Sequence, residues 1–123
     1  MAETVASDPT TTFFDKLVAR GHEPLLQSTS GTLRIELKNG SRTQYWYVAI
    51  TKGDIAVSNA NAEADAVVRT TKALFGDMAT GRVNAMAATL RGVLLAEGDL
   101  GLVMSFQRLF PGPPKSVYAR KIR

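Results

Sequence analysis

At 123 residues, with 45% hydrophobic and 21% charged positions and a net charge of +4, the chain has the size and balance of about one globular domain. It has no cysteine, which excludes a disulfide framework and a thiolate metal site and fits a reducing, cytoplasmic setting. No window approaches the roughly 18 apolar residues of a membrane span, and the N-terminus is acidic before it is apolar, so neither a span nor a signal peptide is expected.

Residues 1–7 read as a flexible tail. Asp8-Pro9 then forms an N-cap followed by proline at the first helical position. Phe13, Phe14, Leu17 and Val18 fall on one helical face, and Gly21 ends the helix. Residues 31–38 alternate, with Leu33, Ile35 and Leu37 on one side, which predicts a half-buried strand. Asn39-Gly40 is a turn signal, and residues 43–51 form a second strand. Its Trp46, Val48 and Ile50 lie opposite Tyr45, Tyr47 and Ala49. Short strands follow at 55–58 and 66–70.

Helical spacing then takes over. Thr70 or Thr71 caps a helix carrying Leu74, Phe75 and Met78, stopped by Gly81. Asn84 caps a short helical turn over 85–88. A fifth strand is expected over 90–97, and Asp99 caps a last helix over 100–110. Pro111-Gly112-Pro113-Pro114 ends it, and residues 115–123 read as a second tail. These elements predict one α+β domain: a five-stranded, mostly antiparallel sheet with helices covering one face.

Catalytic residue types are sparse. The single histidine, His22, stands next to Glu23 just past a helix end, where a surface pair is the ordinary reading. Asp77, Glu97 and Asp99 have no histidine or second acid at a converging spacing, and no phosphate loop or metal cluster is present. The sequence therefore points to a non-enzyme with no cofactor. Lys115, Arg120, Lys121 and Arg123 crowd the last nine residues. Such a tail can meet phosphates of lipid or nucleic acid or can be a solvated end, and no RNA-binding signature accompanies it.

Apolar residues dominate residues 65–110. The stripes Leu74-Phe75-Met78 and Leu102-Val103-Phe106-Leu109-Phe110 are wide enough to cover a sheet. Leu100 and Met104 fall on the opposite side of the last helix and make it apolar almost all round. Such a helix is either fully buried or borders something apolar on a second side. Tyr45, Tyr47, Val93 and Leu95 are expected on the outer sheet face, a candidate homodimer surface.

Residues 81–99, GRVNAMAATLRGVLLAEGD, resemble the sterol carrier protein type 2 family of lipid-binding domains. The resemblance rests on Gly81, Arg82, Asn84, Gly92, the strand after it and Gly98-Asp99. Ala85 stands where the family often has proline, and Val93 and Leu95 where it often has lysines. The resemblance implies an apolar tunnel between sheet and helices that holds a sterol, fatty acid, acyl-coenzyme A or other lipid, with at most transient membrane contact. The implied lining is Trp46, Val48, Leu74, Phe75, Met78, Leu90, Leu102, Phe106, Leu109 and Phe110, with Leu100 and Met104 at the rim. Arg82 or Arg108 would meet an anionic headgroup. The alternative is the same fold with a closed core, serving as an oligomeric subunit or as an accessory to a lipid-metabolising enzyme.

Overall fold

A computed structural model describes residues 8–111; the expected tails lie outside them. The order is α1 (Pro9–Arg20), a 3-10 turn (Pro24–Leu26), β1 (Ser30–Asn39), β2 (Arg42–Thr51), β3 (Asp54–Ser58) and β4 (Ala66–Thr71). Then come α2 (Lys72–Ala79), α3 (Ala85–Leu90), β5 (Leu95–Gly98) and α4 (Leu100–Gln107).

The helices start where the sequence supplies acceptors for their orphan N–H groups. The Asp8 carboxylate accepts from the Thr10 N–H at 3.0 Å. Thr71 Oγ1 accepts from the Leu74 N–H, and Asn84 Oδ1 from the Ala87 N–H, each at 3.0 Å. Asp99 Oδ1 accepts from the Leu102 N–H at 3.1 Å. Gly21 closes α1 at φ +71°, its N–H reaching the Leu17 carbonyl at 3.0 Å.

The five strands form one sheet in the order β3-β2-β1-β4-β5. β1–β2, β2–β3 and β4–β5 are antiparallel, while β1 and β4 run parallel, so the sheet is mixed. The parallel step follows because residues 59–65 carry the chain from β3 past β2 and β1, so that β4 runs in the direction of β3 on the far side of β1. Register places Leu33 opposite Val48 and Ala66, and Ile35 opposite Trp46 and Val68. These residues form the inner face. Phe14 and Leu17 of α1, Phe75 and Met78 of α2, Ala85 and Ala88 of α3, and Leu102, Val103 and Phe106 of α4 complete the core against it. Fully burying one such large side chain contributes about 1.5–3 kcal/mol.

Two sequence expectations are corrected. The fifth strand was expected over 90–97 but begins at Leu95. α3 runs on to Leu90, and the chain then turns through Gly92 at φ +77°. The last helix was expected to reach 110 but ends at Gln107, and residues 108–110 form a turn instead.

Candidate functional site

Aromatic rings fill the space between α1, α2 and the end of α4. Phe14 stacks on Trp46 with centroids 4.2 Å apart, which lays the indole of β2 along α1. Phe13 meets Phe75 edge-on at 5.5 Å and stacks on Phe110 at 4.6 Å. Phe110 also meets Phe106 edge-on at 5.8 Å. These pairings pin the turn after α4 across the end of the helical layer.

Beside Phe110 lies a small, partly open void of about 20 Å³. Its walls are Ile35, Val68, Phe75, Met78, Ala85, Leu94, Val103, Phe106, Gln107 and Phe110. That volume is room for about one water, and a wall this apolar offers a water few partners. The void as it stands does not hold a lipid chain.

Outside it lies an open groove of about 360 Å³, bordered by Asn84, Ala85, Met86, Met104, Gln107, Arg108, Phe110 and Pro111. Ala85, Gln107 and Phe110 belong to both spaces. The side chains of Ala85, Gln107 and Phe110 thus stand where the two spaces adjoin.

Gln107 is the polar member of this wall. Its Nε2 donates to Thr89 Oγ1 at 2.8 Å, and Thr89 donates its hydroxyl hydrogen to the Ala85 carbonyl at 3.0 Å. A hydroxyl has one hydrogen, so Thr89 can only accept from Gln107, and this fixes the amide orientation. Among the described residues, Gln107 Oε1 is left buried with no donor. A buried acceptor without a donor costs about 1–3 kcal/mol. Trp46 Nε1 and Gln44 Oε1, both on the inner face of β2, are also buried without partners among the described residues.

The sequence-predicted lining divides into three groups. Phe75, Met78, Phe106 and Phe110 do line the void. Val48 and Leu102 are buried, and Trp46, Leu74 and Leu109 are half-buried against the core, but none of these five borders the void. Leu102 instead packs over Gly31, where an added Cβ would lie 2.9 Å from its Cδ2. Leu90 is 80% exposed, because it ends a helix instead of starting a strand. Leu100 and Met104 are each 55% exposed, on the outer side of α4. Ile35, Val68, Ala85, Leu94, Val103 and Gln107 complete the wall and were missed. The β1 alternation carried a signal for Ile35; Gln107 gave none, since a lone glutamine in an apolar helix reads as solvated. Arg108 borders the groove, whereas Arg82 faces Asp77 at 3.8 Å.

The remaining polar groups support structure. His22 Nδ1 lies 2.7 Å from Asp54 Oδ1, so the expected pairing with Glu23 is not formed. Glu23 turns inward, pairs with Arg20 and accepts from the Leu25 N–H. On the outer sheet face, Arg34, Glu36, Arg69 and Glu97 form a chain of ion pairs across β1, β4 and β5. Glu97 and Glu36 together raise the Arg69 pKa above its ordinary value. Tyr47 donates from its hydroxyl to the Glu63 carbonyl at 2.9 Å. The expected outer apolar patch is therefore crossed by charge, and Val93 and Leu95 border that charge beside β5. Among the described residues, no group of three or more His, Asp or Glu side chains could hold a metal ion. No described helix is long and apolar enough to cross a membrane.

Comparison with known proteins decides the family. The model of the SCP-2 sterol transfer family matches residues 14–111. The chain belongs to that family. It is 29% identical over 109 residues to the peroxisomal multifunctional enzyme A of Dictyostelium discoideum, a match covering 87% of this chain and 24% of that protein. The SCP-2 domain described here thus spans about a quarter of that relative. Among solved structures, it resembles sterol carrier protein 2 like 2 of Aedes aegypti, with TM-score 0.62, 16% identity, and 81% and 94% of the two chains covered. A palmitated form of that protein gives TM-score 0.57 at 14% identity, with 76% and 89% covered. The sec-alkylsulfatase Pisa1 of Pseudomonas sp. gives 0.58 at 18% identity, with 76% of this chain and 15% of that one covered. These likenesses show a shared fold.

Proposed function

We propose that this SCP-2 domain takes up an apolar molecule between its sheet and its helices and performs no chemistry on it. The observation that carries the reading is the wall shared by the inner void and the outer groove, Ala85, Gln107 and Phe110. Swinging Phe110 aside joins the two spaces and gives an alkyl chain a path past Met78 and Phe106. Each methylene moved from water into that space contributes about 0.8 kcal/mol. Because the cavity is about 20 Å³, uptake displaces side chains and couples binding to repacking. Methionine and aromatic walls suit such repacking. Arg108 stands at the groove to meet an anionic head, and Gln107 Oε1 offers an acceptor to a hydroxyl-bearing one. The palmitated Aedes aegypti relative supports an acyl chain as one class of guest.

The small void also favours a second reading: a filled-core module that works beside an enzyme, as the domain's share of the Dictyostelium enzyme suggests. Self-association through the outer sheet face would bury the Arg34–Glu36–Arg69–Glu97 ion pairs, which disfavours it. Titration with a fluorescent fatty acid separates the two main readings. The carrier saturates at one ligand per chain, and unlabelled palmitate displaces the probe. A filled-core module shows no saturable uptake.

A further inference from the structure

Among the described residues, four buried side-chain polar atoms have no hydrogen-bond partner: Thr10 Oγ1, Gln44 Oε1, Trp46 Nε1 and Gln107 Oε1. Protein interiors leave few such atoms, so each raises the question of what satisfies it. Three of the four gather at one place, and Gln107 stands at another.

The fold brings the three together. α1 and β2 run in the same direction. The carbonyl of Gly21, just past α1, accepts from the Ile55 N–H at 2.8 Å, and Ile55 pairs with Ile50 near the end of β2. Further back along both elements, Phe14 stacks on Trp46. Thr10 lies one turn before Phe14, and Gln44 lies two residues before Trp46 on the same face of β2. Thr10 also shares a surface groove with Asn39, which pairs with Arg42 at the start of β2. Thr10, Gln44 and Trp46 therefore surround the space between the first half of α1 and the first half of β2. Thr10 is only 1% exposed, so water does not reach it freely.

Gln107 lies at the other end of a row of rings. Phe110, its neighbour at the void, meets Phe75 at 5.4 Å; Phe75 stacks on Phe14 at 5.4 Å, and Phe14 on Trp46 at 4.2 Å. Among the described residues Trp46 makes a ring contact with Phe14 alone, so Phe14 stands between it and Phe75. Ile35 borders the void and pairs with Trp46 across β1 and β2, which carries the apolar wall to the same place along the sheet. The unpartnered atoms thus mark the two ends of one apolar row.

We propose that the guest of this domain is a long chain with a polar group at each end, and that its inner end is a neutral hydroxyl held by Trp46, Gln44 and Thr10. One hydroxyl completes the set. Its oxygen accepts from Trp46 Nε1, its hydrogen goes to Gln44 Oε1, and the Thr10 hydroxyl can take either role beside it. A carboxylate has no hydrogen to give Gln44, so the acid end stays at the groove with Arg108. The inference rests on the uptake proposed above and adds the chemistry of the ligand's far end.

The test compares palmitate with ω-hydroxypalmitate, titrated into the full chain and read by the emission of Trp46, the single tryptophan. A hydroxyl taken into an apolar end with no partner should weaken binding by about tenfold or more. With its partners in place, the hydroxy acid should bind at least as tightly as palmitate. Thr10→Val/Gln44→Leu should shift the ratio of the two affinities about tenfold towards palmitate. A merely structural role would move both affinities alike. Thermal melting checks that the variant folds. Trp46→Phe, read by displacement of a fluorescent fatty acid, should shift the ratio the same way and keeps the test open if the double variant does not fold. A hydroxy acid that binds tenfold more weakly than palmitate to the wild type, or a ratio unchanged in the variants, would overturn the inference and leave uptake standing. Uptake of neither acid would overturn both.

Discussion

Phe13 of α1 and Phe110 of the turn after α4 lie face to face, with centroids 4.6 Å apart and planes 17° apart. This pair ties the first helix to the far end of the described chain and holds one wall of the void in place. Phe110→Ala should cost about 2 kcal/mol in a urea melt, below the range for a fully buried phenylalanine because this ring is half-buried. On the proposed function it should also speed fatty-acid association in stopped flow. A slower association would mean that Phe110 is not the barrier.

Gly98 has a steric role that Gly92 lacks. Both have positive φ, +86° and +77°. A Cβ on Gly98 would stand 2.4 Å from the Asp65 carbonyl oxygen, whereas one on Gly92 would meet nothing within 4 Å among the described residues. Gly92→Ala should cost about 1–2 kcal/mol, the left-handed backbone penalty alone. Gly98→Ala should cost clearly more, because β4 and β5 must also part. Equal denaturation midpoints for the two variants would refute this account of the β5 end.

Gln107 is predicted to govern head-group preference with little effect on stability. Gln107→Leu removes the bond to Thr89 together with the orphan oxygen, so thermal stability should stay within about 1 kcal/mol of the wild type. Affinity for a long-chain alcohol should fall about fivefold, while affinity for the matching methyl ether should hold. Parallel loss for both ligands would show that Gln107 shapes the wall without reading the head.

Asp8 links acid sensitivity to the start of α1. Burial works against its charge, but hydrogen bonds from Lys72, Thr11 and the Thr10 N–H outweigh it and set its pKa below the ordinary 3.8. A carboxylate with a lowered folded pKa stabilises fully above its unfolded pKa and loses that contribution as pH falls through the folded value. Asp8→Ala should therefore cost about 1 kcal/mol at neutral pH, the usual worth of an N-cap. The gap between variant and wild-type melting temperatures should narrow below pH 3.8. A gap that is constant across that range would mean that the cap acts without its charge.

Much of the fold was legible because local chemistry and global packing agree in it. Asp8, Asn84 and Asp99 each cap the helix that the sequence announces. The alternation of Leu33, Ile35 and Leu37 sets the inner face of β1. The errors fall where local signals are thin. In residues 90–95 a run of leucine and valine suits either a strand or the end of a helix, and the Asn84 cap carries α3 through Leu90. The parallel pairing of β1 with β4 leaves no mark in either strand, since it is set by where the intervening chain returns. The site was half legible for a related reason. Apolar stripes identify core residues, but which of them border a void depends on how facing elements meet, and Gln107 is told apart by its bond to Thr89.

Native mass spectrometry of the purified chain, followed by organic extraction, tests the central claim most directly. The account predicts one apolar molecule per chain, lost on denaturation, or a bare chain that gains one palmitate when titrated. A bare chain that takes up neither palmitate nor a long-chain alcohol would contradict it and leave the filled-core module as the reading.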